Sequence, residues 1–198
     1  MVFAGLSLLS ACGAGTKSET PTATDSNAVS TDTSAEASFF PSRTEIKEDG
    51  VSPKKLTTGM VGDVKVSVQY GSPSVKGREV WGALVPYGEV WRSGANDATW
   101  VEFSKDVMVN NQPLAAGKYG FFTIPSEGEW TVILNEVWDI WGAYDYDESR
   151  DVLRFNVEPE MVEANQESLE FEITQGKLVL KWEYLRLPIP VEAAVPSK

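Results

Sequence analysis

Leu169-Glu170-Phe171-Glu172-Ile173-Thr174, then Gln175-Gly176, then Lys177-Leu178-Val179-Leu180-Lys181-Trp182-Glu183-Tyr184 is the stretch that decides the fold. Leu169, Phe171 and Ile173 alternate with Glu170 and Glu172. A period of two places the apolar set on one face of an extended chain and the acidic set on the other. The Gln175-Gly176 turn sends the chain back through Leu178–Tyr184. The whole reads as a β-hairpin with one buried face.

The same period recurs upstream. Val64, Val66, Val68 and Tyr70 alternate with Lys65, Ser67 and Gln69 until Gly71-Ser72-Pro73 breaks the pattern. Thr99, Val101 and Phe103 alternate with Trp100 and Glu102; Val107-Met108-Val109 follows, closed by a turn over Asn110-Asn111-Gln112-Pro113. Tyr119–Ile124 ends at Pro125 and Gly128, and Trp130–Asn135 returns as its hairpin partner. Asp151–Glu158 alternates less regularly. Short strands with turn signals every 8–12 residues or so predict an all-β domain, an antiparallel β-sandwich of jelly-roll type. One or two short helices are expected, around Glu79–Leu84 and Met161–Gln166. A domain of about 140 residues buries roughly two thirds of its unfolded surface and needs no disulfide.

The start of the chain is of a different kind. Residues 1–11 are apolar but too short to span a bilayer as a helix, which needs about 20 residues. They read as the apolar core of an export signal. Leu9-Ser10-Ala11-Cys12 resembles the bacterial lipobox, which implies cleavage before Cys12, its acylation, and attachment to a membrane in the cell envelope. Gly13 in place of Asp points to the outer membrane where the cell has one. No Lys or Arg precedes the apolar run, so the true start is expected upstream of Met1. Residues 12–52 are rich in Ser, Thr and Ala and bury too little to offset the entropy of ordering; they read as a tether, with the domain at 53–198.

Composition removes several chemistries. The chain has no histidine, and Cys12 is its single cysteine. With Cys12 acylated, the mature domain lacks thiol and imidazole, which excludes Ser-His-Asp and Cys-His triads, Cys/His zinc sites and histidine acid–base catalysis. A net charge of -12 disfavours nucleic acid as a partner.

Residues 61–187 resemble a bacterial family catalogued as domain of unknown function 2911. The resemblance is carried, in order, by Val75-Lys76-Gly77-Arg78, Leu84–Asn96, Leu114–Pro125 with Ala116-Gly117-Lys118-Tyr119, Glu129–Ile133, Trp141–Tyr146 and Leu180–Glu183. It implies an exported bacterial protein and brings no activity, substrate or catalytic residue. Glu136-Val137-Trp138-Asp139-Ile140 departs from the pattern, being more apolar than the polar turn expected there.

Two stretches carry candidate chemistry. Leu84–Asn96 packs Tyr87, Trp91, Arg92 and Asn96 between turn formers, and Trp138, Trp141, Tyr144 and Tyr146 follow later. Aromatic faces with a few polar groups hold small ligands, and they also build sandwich cores. Tyr87, Trp91, Arg92, Asn96, Trp141 and Tyr144 are therefore the ligand-binding candidates. Alternation puts Trp91 and Arg92 on opposite faces, so Arg92 faces a cleft if Trp91 faces the core. A carboxylate partner would make Arg92 structural; an open cleft would make it an anchor for an anionic group.

The second stretch sets Asp139, Asp145, Asp147, Glu148 and Asp151 close together. Asp145, Asp147 and Asp151 are candidate Ca²⁺ ligands, although the glycine and terminal glutamate of an EF-hand are missing. The alternative is an acidic surface loop around Arg150 and Arg154. No other cofactor is expected. Three functions stay open: a non-enzymatic module binding a glycan, peptide or partner protein; a carboxylate-based hydrolase; and a purely structural or protein-interaction domain.

Overall fold

A computed structural model describes residues 42–46, 52–174 and 176–194. Cys12 and the segment read as an export signal lie outside the described residues, as does Gln175 of the hairpin turn. The strands, in chain order, are β1 (Ser42–Ile46), β2 (Lys54–Val61), β3 (Val64–Gly71), β4 (Trp100–Phe103), β5 (Val107–Val109) and β6 (Gln112–Leu114). They continue as β7 (Gly117–Ile124), β8 (Trp130–Asn135), β9 (Asp151–Val157), β10 (Glu160–Thr174) and β11 (Lys177–Ala193). A seven-stranded sheet has the order β1-β2-β3-β4-β7-β8-β9, and a four-stranded sheet the order β10-β11-β5-β6. Every pairing is antiparallel. The fold is all-β and sandwich-like, as the alternation predicts.

The inward-facing residues of both sheets form one core. Val66, Val68 and Tyr70 of β3, Phe121 of β7, Phe171 of β10 and Trp182 of β11 are all buried in it. Phe171 carries the join, with its ring 4.9 Å from that of Tyr70 and 5.4 Å from that of Phe121. The long β11 serves two neighbours in turn: its first part pairs with β10 and Val191–Ala193 pair with β5. Pro188 and Pro190, which have no N–H to donate, fall where it changes partner.

Neither expected helix forms. Met161–Gln166 lies in β10, with Met161 opposite Leu185 and Gln166 opposite Glu183. Pairing with a ready strand overrides its weak helical propensity, and extra residues of β10 on either side of Gln166 bulge to absorb two shifts of register, opposite Glu183, whose φ is 53°. Glu79–Leu84 is a closed turn in which Val85 N–H donates to the Val80 carbonyl at 2.8 Å and Gly82, at φ 83°, reverses the chain. The sole helical piece among the described residues is the single 3-10 turn Glu148–Arg150. The turn expected over Asn110–Pro113 is shorter. Asn110 and Asn111 alone make it, with φ of 47° and 62°, and Gln112–Leu114 already pairs back on β5. The larger sheet also begins earlier than expected, because β1 lies within the segment read as tether and pairs along β2.

Candidate ligand-binding cleft

Between β3 and β4 the chain crosses in one long connection, and the cleft is built there. Val75, Val80, Val85 and Trp91 dip into the core and fix its course. Trp91 is stitched to β7: its N–H donates to the Thr123 carbonyl at 2.7 Å, and Thr123 N–H donates back at 2.9 Å. Ser93 then turns at φ 53°, fully buried, its hydroxyl 3.1 Å from that of Thr123. Asn96, at φ 64°, reverses the chain again, as the sequence Gly94-Ala95-Asn96 allows. Its amide donates to the Ser52 carbonyl at 3.3 Å, and its own carbonyl accepts from Gly142 N–H at 3.0 Å. Ala95 N–H donates to the Gly71 carbonyl, so this turn is pressed onto the end of β3.

These anchors leave Trp91 facing inward and Arg92 at the wall of a cavity of about 420 Å³. The indoles of Trp91 and Trp182 lie stacked, with centroids 5.9 Å apart, and Trp81 meets both edge-on. Lys76 and Arg78 also line the cavity, and Glu89 is the single carboxylate among its lining residues. Arg78 is oriented by the backbone, donating from Nε to the Val75 carbonyl at 3.1 Å and from Nη2 to the Ser74 carbonyl at 2.6 Å. Arg92 has no such arrangement. Its Nε is buried, and no acceptor among the described residues serves it. Burial pushes its pKa below the usual guanidinium range, with Tyr144 acting in the opposite sense.

The six candidate residues do not share one site. Trp91, Arg92 and Asn96 line this cavity. Tyr87 stands over Gly82 and borders a separate hollow beside Trp130. Trp141 belongs to a third concavity. Tyr144 is 86% exposed, its ring against Gly142. Lys76, Arg78 and Trp182 are cleft residues that sequence reasoning did not assign. The Lys76-Gly77 turn and the inward position of Trp182 in its strand were the available signals, but nothing local tied them to Arg92.

The acidic stretch is organised as structure. Buried Asn135 donates to the Asp147 carbonyl at 2.9 Å and to the Asp151 carboxylate at 2.8 Å. Tyr146 donates its hydroxyl to Asp151 at 2.7 Å, and burial followed by that hydrogen bond raises its pKa above the ordinary tyrosine range. Asp147 caps the 3-10 turn, and hydrogen bonds from the Ser149 hydroxyl and N–H hold its carboxyl below the usual range. Arg154 pairs with Glu148 at 2.7 Å and with Asp151 at 3.1 Å. Asp145, Asp147 and Asp151 are thus not gathered around a common point, and no described group of three acidic side chains is placed to hold a metal ion. Asp151 has both oxygens engaged by neighbouring donors, and Asp147 has one engaged by Ser149.

Fold and cleft together define an antiparallel two-sheet domain with a cation-lined, tryptophan-backed cavity beside the end of β3. The chain belongs to the family described as "Protein of unknown function (DUF2911)", which it matches over residues 52–191. No curated protein and no solved structure matches it.

Proposed function

We propose that the protein is a lipid-anchored binding module of the bacterial cell envelope, and that its cleft holds an anionic group of a small ligand, peptide or partner on Arg92. The observation that carries the reading is the state of Arg92: a half-buried guanidinium in the cavity that the stacked indoles also line, with no carboxylate partner among the described residues. Desolvating a cation is costly unless it is paired. A ligand carboxylate or phosphate would supply that pair through the planar fork of the guanidinium. Lys76 and Arg78 join Arg92 in a lining with one carboxylate, Glu89, and this excess of cations in a chain of net charge -12 would concentrate anions at the cleft. A hydrolase using two opposed carboxylates is less favoured at this cleft, since Glu89 is the single acid lining it.

Arg92→Ala tests the site. Because it removes an unpaired, partly desolvated charge, the melting temperature should stay close to wild type. Calorimetric binding of citrate or inorganic phosphate should weaken roughly ten- to hundredfold, the scale of a lost charged hydrogen bond. A large fall in melting temperature with unchanged anion binding would assign Arg92 to structure instead. The anchor rests on Leu9-Ser10-Ala11-Cys12. With a complete signal the protein should incorporate labelled palmitate and partition into detergent, and Cys12→Ala should do neither.

A further inference from the structure

The outer face of the seven-stranded sheet carries a second concavity, separate from the Arg92 cleft. Gln69, Trp100 and Gly120 are neighbours in register on β3, β4 and β7. Gly120 allows the segment after β8 to cross the sheet here, since a Cβ on it would lie 2.4 Å from the Val137 carbonyl oxygen. The crossing sets Trp138 near Trp100, and the Lys118 ammonium lies 3.9 Å from the ring centre of Trp100 and 4.4 Å from that of Trp138. One cation thus orients two indoles. The segment then returns to pair Trp141 with Asp97, and Ala98 N–H donates to the Ile140 carbonyl at 2.9 Å. Trp141 is left 60% exposed, an unusual state for the largest apolar side chain.

We propose that this concavity, of about 280 Å³, is a saccharide subsite that takes one pyranose ring of a glycan. The inference goes beyond the anion cleft and uses none of its residues. An indole face is electron-rich, so it attracts the weakly positive C–H face of a sugar ring. Hydroxyls at the edge of that ring need hydrogen-bonding partners when they leave water. Asp97, Asp139 and Gln69 line the same concavity and supply carboxylate and amide groups for them. Lys54 holds Asp97 through an ion pair at 2.8 Å, which keeps that acceptor in place. A hydrocarbon would offer these polar groups no hydrogen bond, and the hollow is of single-ring size rather than the extent of a protein interface.

The full chain in detergent, titrated with cellotetraose and with the β-1,4 tetramer of N-acetylglucosamine, tests the proposal through tryptophan fluorescence. At least one of the two should give a saturable change. Trp141→Ala should weaken that binding by about tenfold or more, equivalent to about 1.4 kcal/mol, with an unchanged melting temperature. Asp139→Asn, at an exposed side chain, should weaken it as well and guards against misfolding of the tryptophan variant. Arg92→Ala should bind the oligosaccharide as wild type does, so failure of the anion reading and failure of this one are distinguishable. Absence of saturable binding to both oligosaccharides overturns the proposal, as does wild-type binding by both Trp141→Ala and Asp139→Asn.

Discussion

Trp182→Ala is expected to lower the stability of the domain by about 3–5 kcal/mol, the usual range for truncating a large buried aromatic. Trp182 is 1% exposed and has an indole on each of two sides. It stacks on Trp91 with 17° between the rings, and Trp81 meets it edge-on at 5.6 Å. Trp81 also meets Trp130 at 4.7 Å, so one array links β11, the β3–β4 connection and β8. The neighbours are poorly placed to close the gap. Trp91 is tied to Thr123 by two backbone hydrogen bonds, and Trp130 donates its indole N–H to the Ser126 carbonyl at 3.1 Å. Set against a typical total of about 5–15 kcal/mol, the loss is a large fraction of the whole. Urea denaturation should show the midpoint falling with little change in slope. Trp182→Phe should cost much less, because no described acceptor takes the Trp182 indole N–H. A loss below about 1 kcal/mol for the alanine variant would mean that the array collapses around the gap.

Gly71→Ala is the second large effect. A Cβ at Gly71 would lie 2.0 Å from the Ala95 carbonyl oxygen and 2.7 Å from its carbon, which are backbone atoms and not a flexible side-chain end. The turn that carries Ala95 is tied on both sides of the contact. Thr99 donates its hydroxyl to the Ser93 carbonyl at 3.1 Å, and Gly142 N–H donates to the Asn96 carbonyl at 3.0 Å. Accommodating one methyl group therefore means moving the segment that positions Arg92. Destabilisation of about 1–3 kcal/mol is expected, as for overpacked cores. Anion binding should fall together with the melting temperature. That joint loss separates this variant from Arg92→Ala, in which binding alone should fall. Wild-type melting and binding in Gly71→Ala would show that the β3–β4 connection is freer than its hydrogen bonds imply.

Both effects depend on contacts between segments far apart in sequence, which local pattern does not encode. The hairpin of Leu169–Tyr184, the strands at Val64, Trp100, Tyr119, Trp130 and Asp151, and the all-β class were legible because side-chain direction in a strand alternates residue by residue. Local pattern failed at Met161–Gln166, a polar run with no clear period, which is a strand because β11 offers it a partner. It failed for β1 for the same reason, since pairing along β2 has no local signature. In the acidic stretch the residues were visible, but their partners were not. Asn135 and Tyr146 engage the oxygens of Asp151, and Asn135 belongs to β8.

The two-residue period of the strands, the absence of histidine, the lone Cys12 and the turn chemistry around Arg92 are written in the order of residues alone. These are properties of single residues and near neighbours, and no packing can alter them. Tertiary packing alone put Arg92 in one cavity lining with Lys76, Arg78 and Trp182, with no carboxylate partner among the described residues, and put Trp141 on another face. A cleft is made by segments brought together through sheet pairing, at places such as Gly71 and Gly120 where a missing side chain lets one backbone press on another. Which segments meet there depends on the order of strands in the sheets, which the alternation of any one strand does not encode.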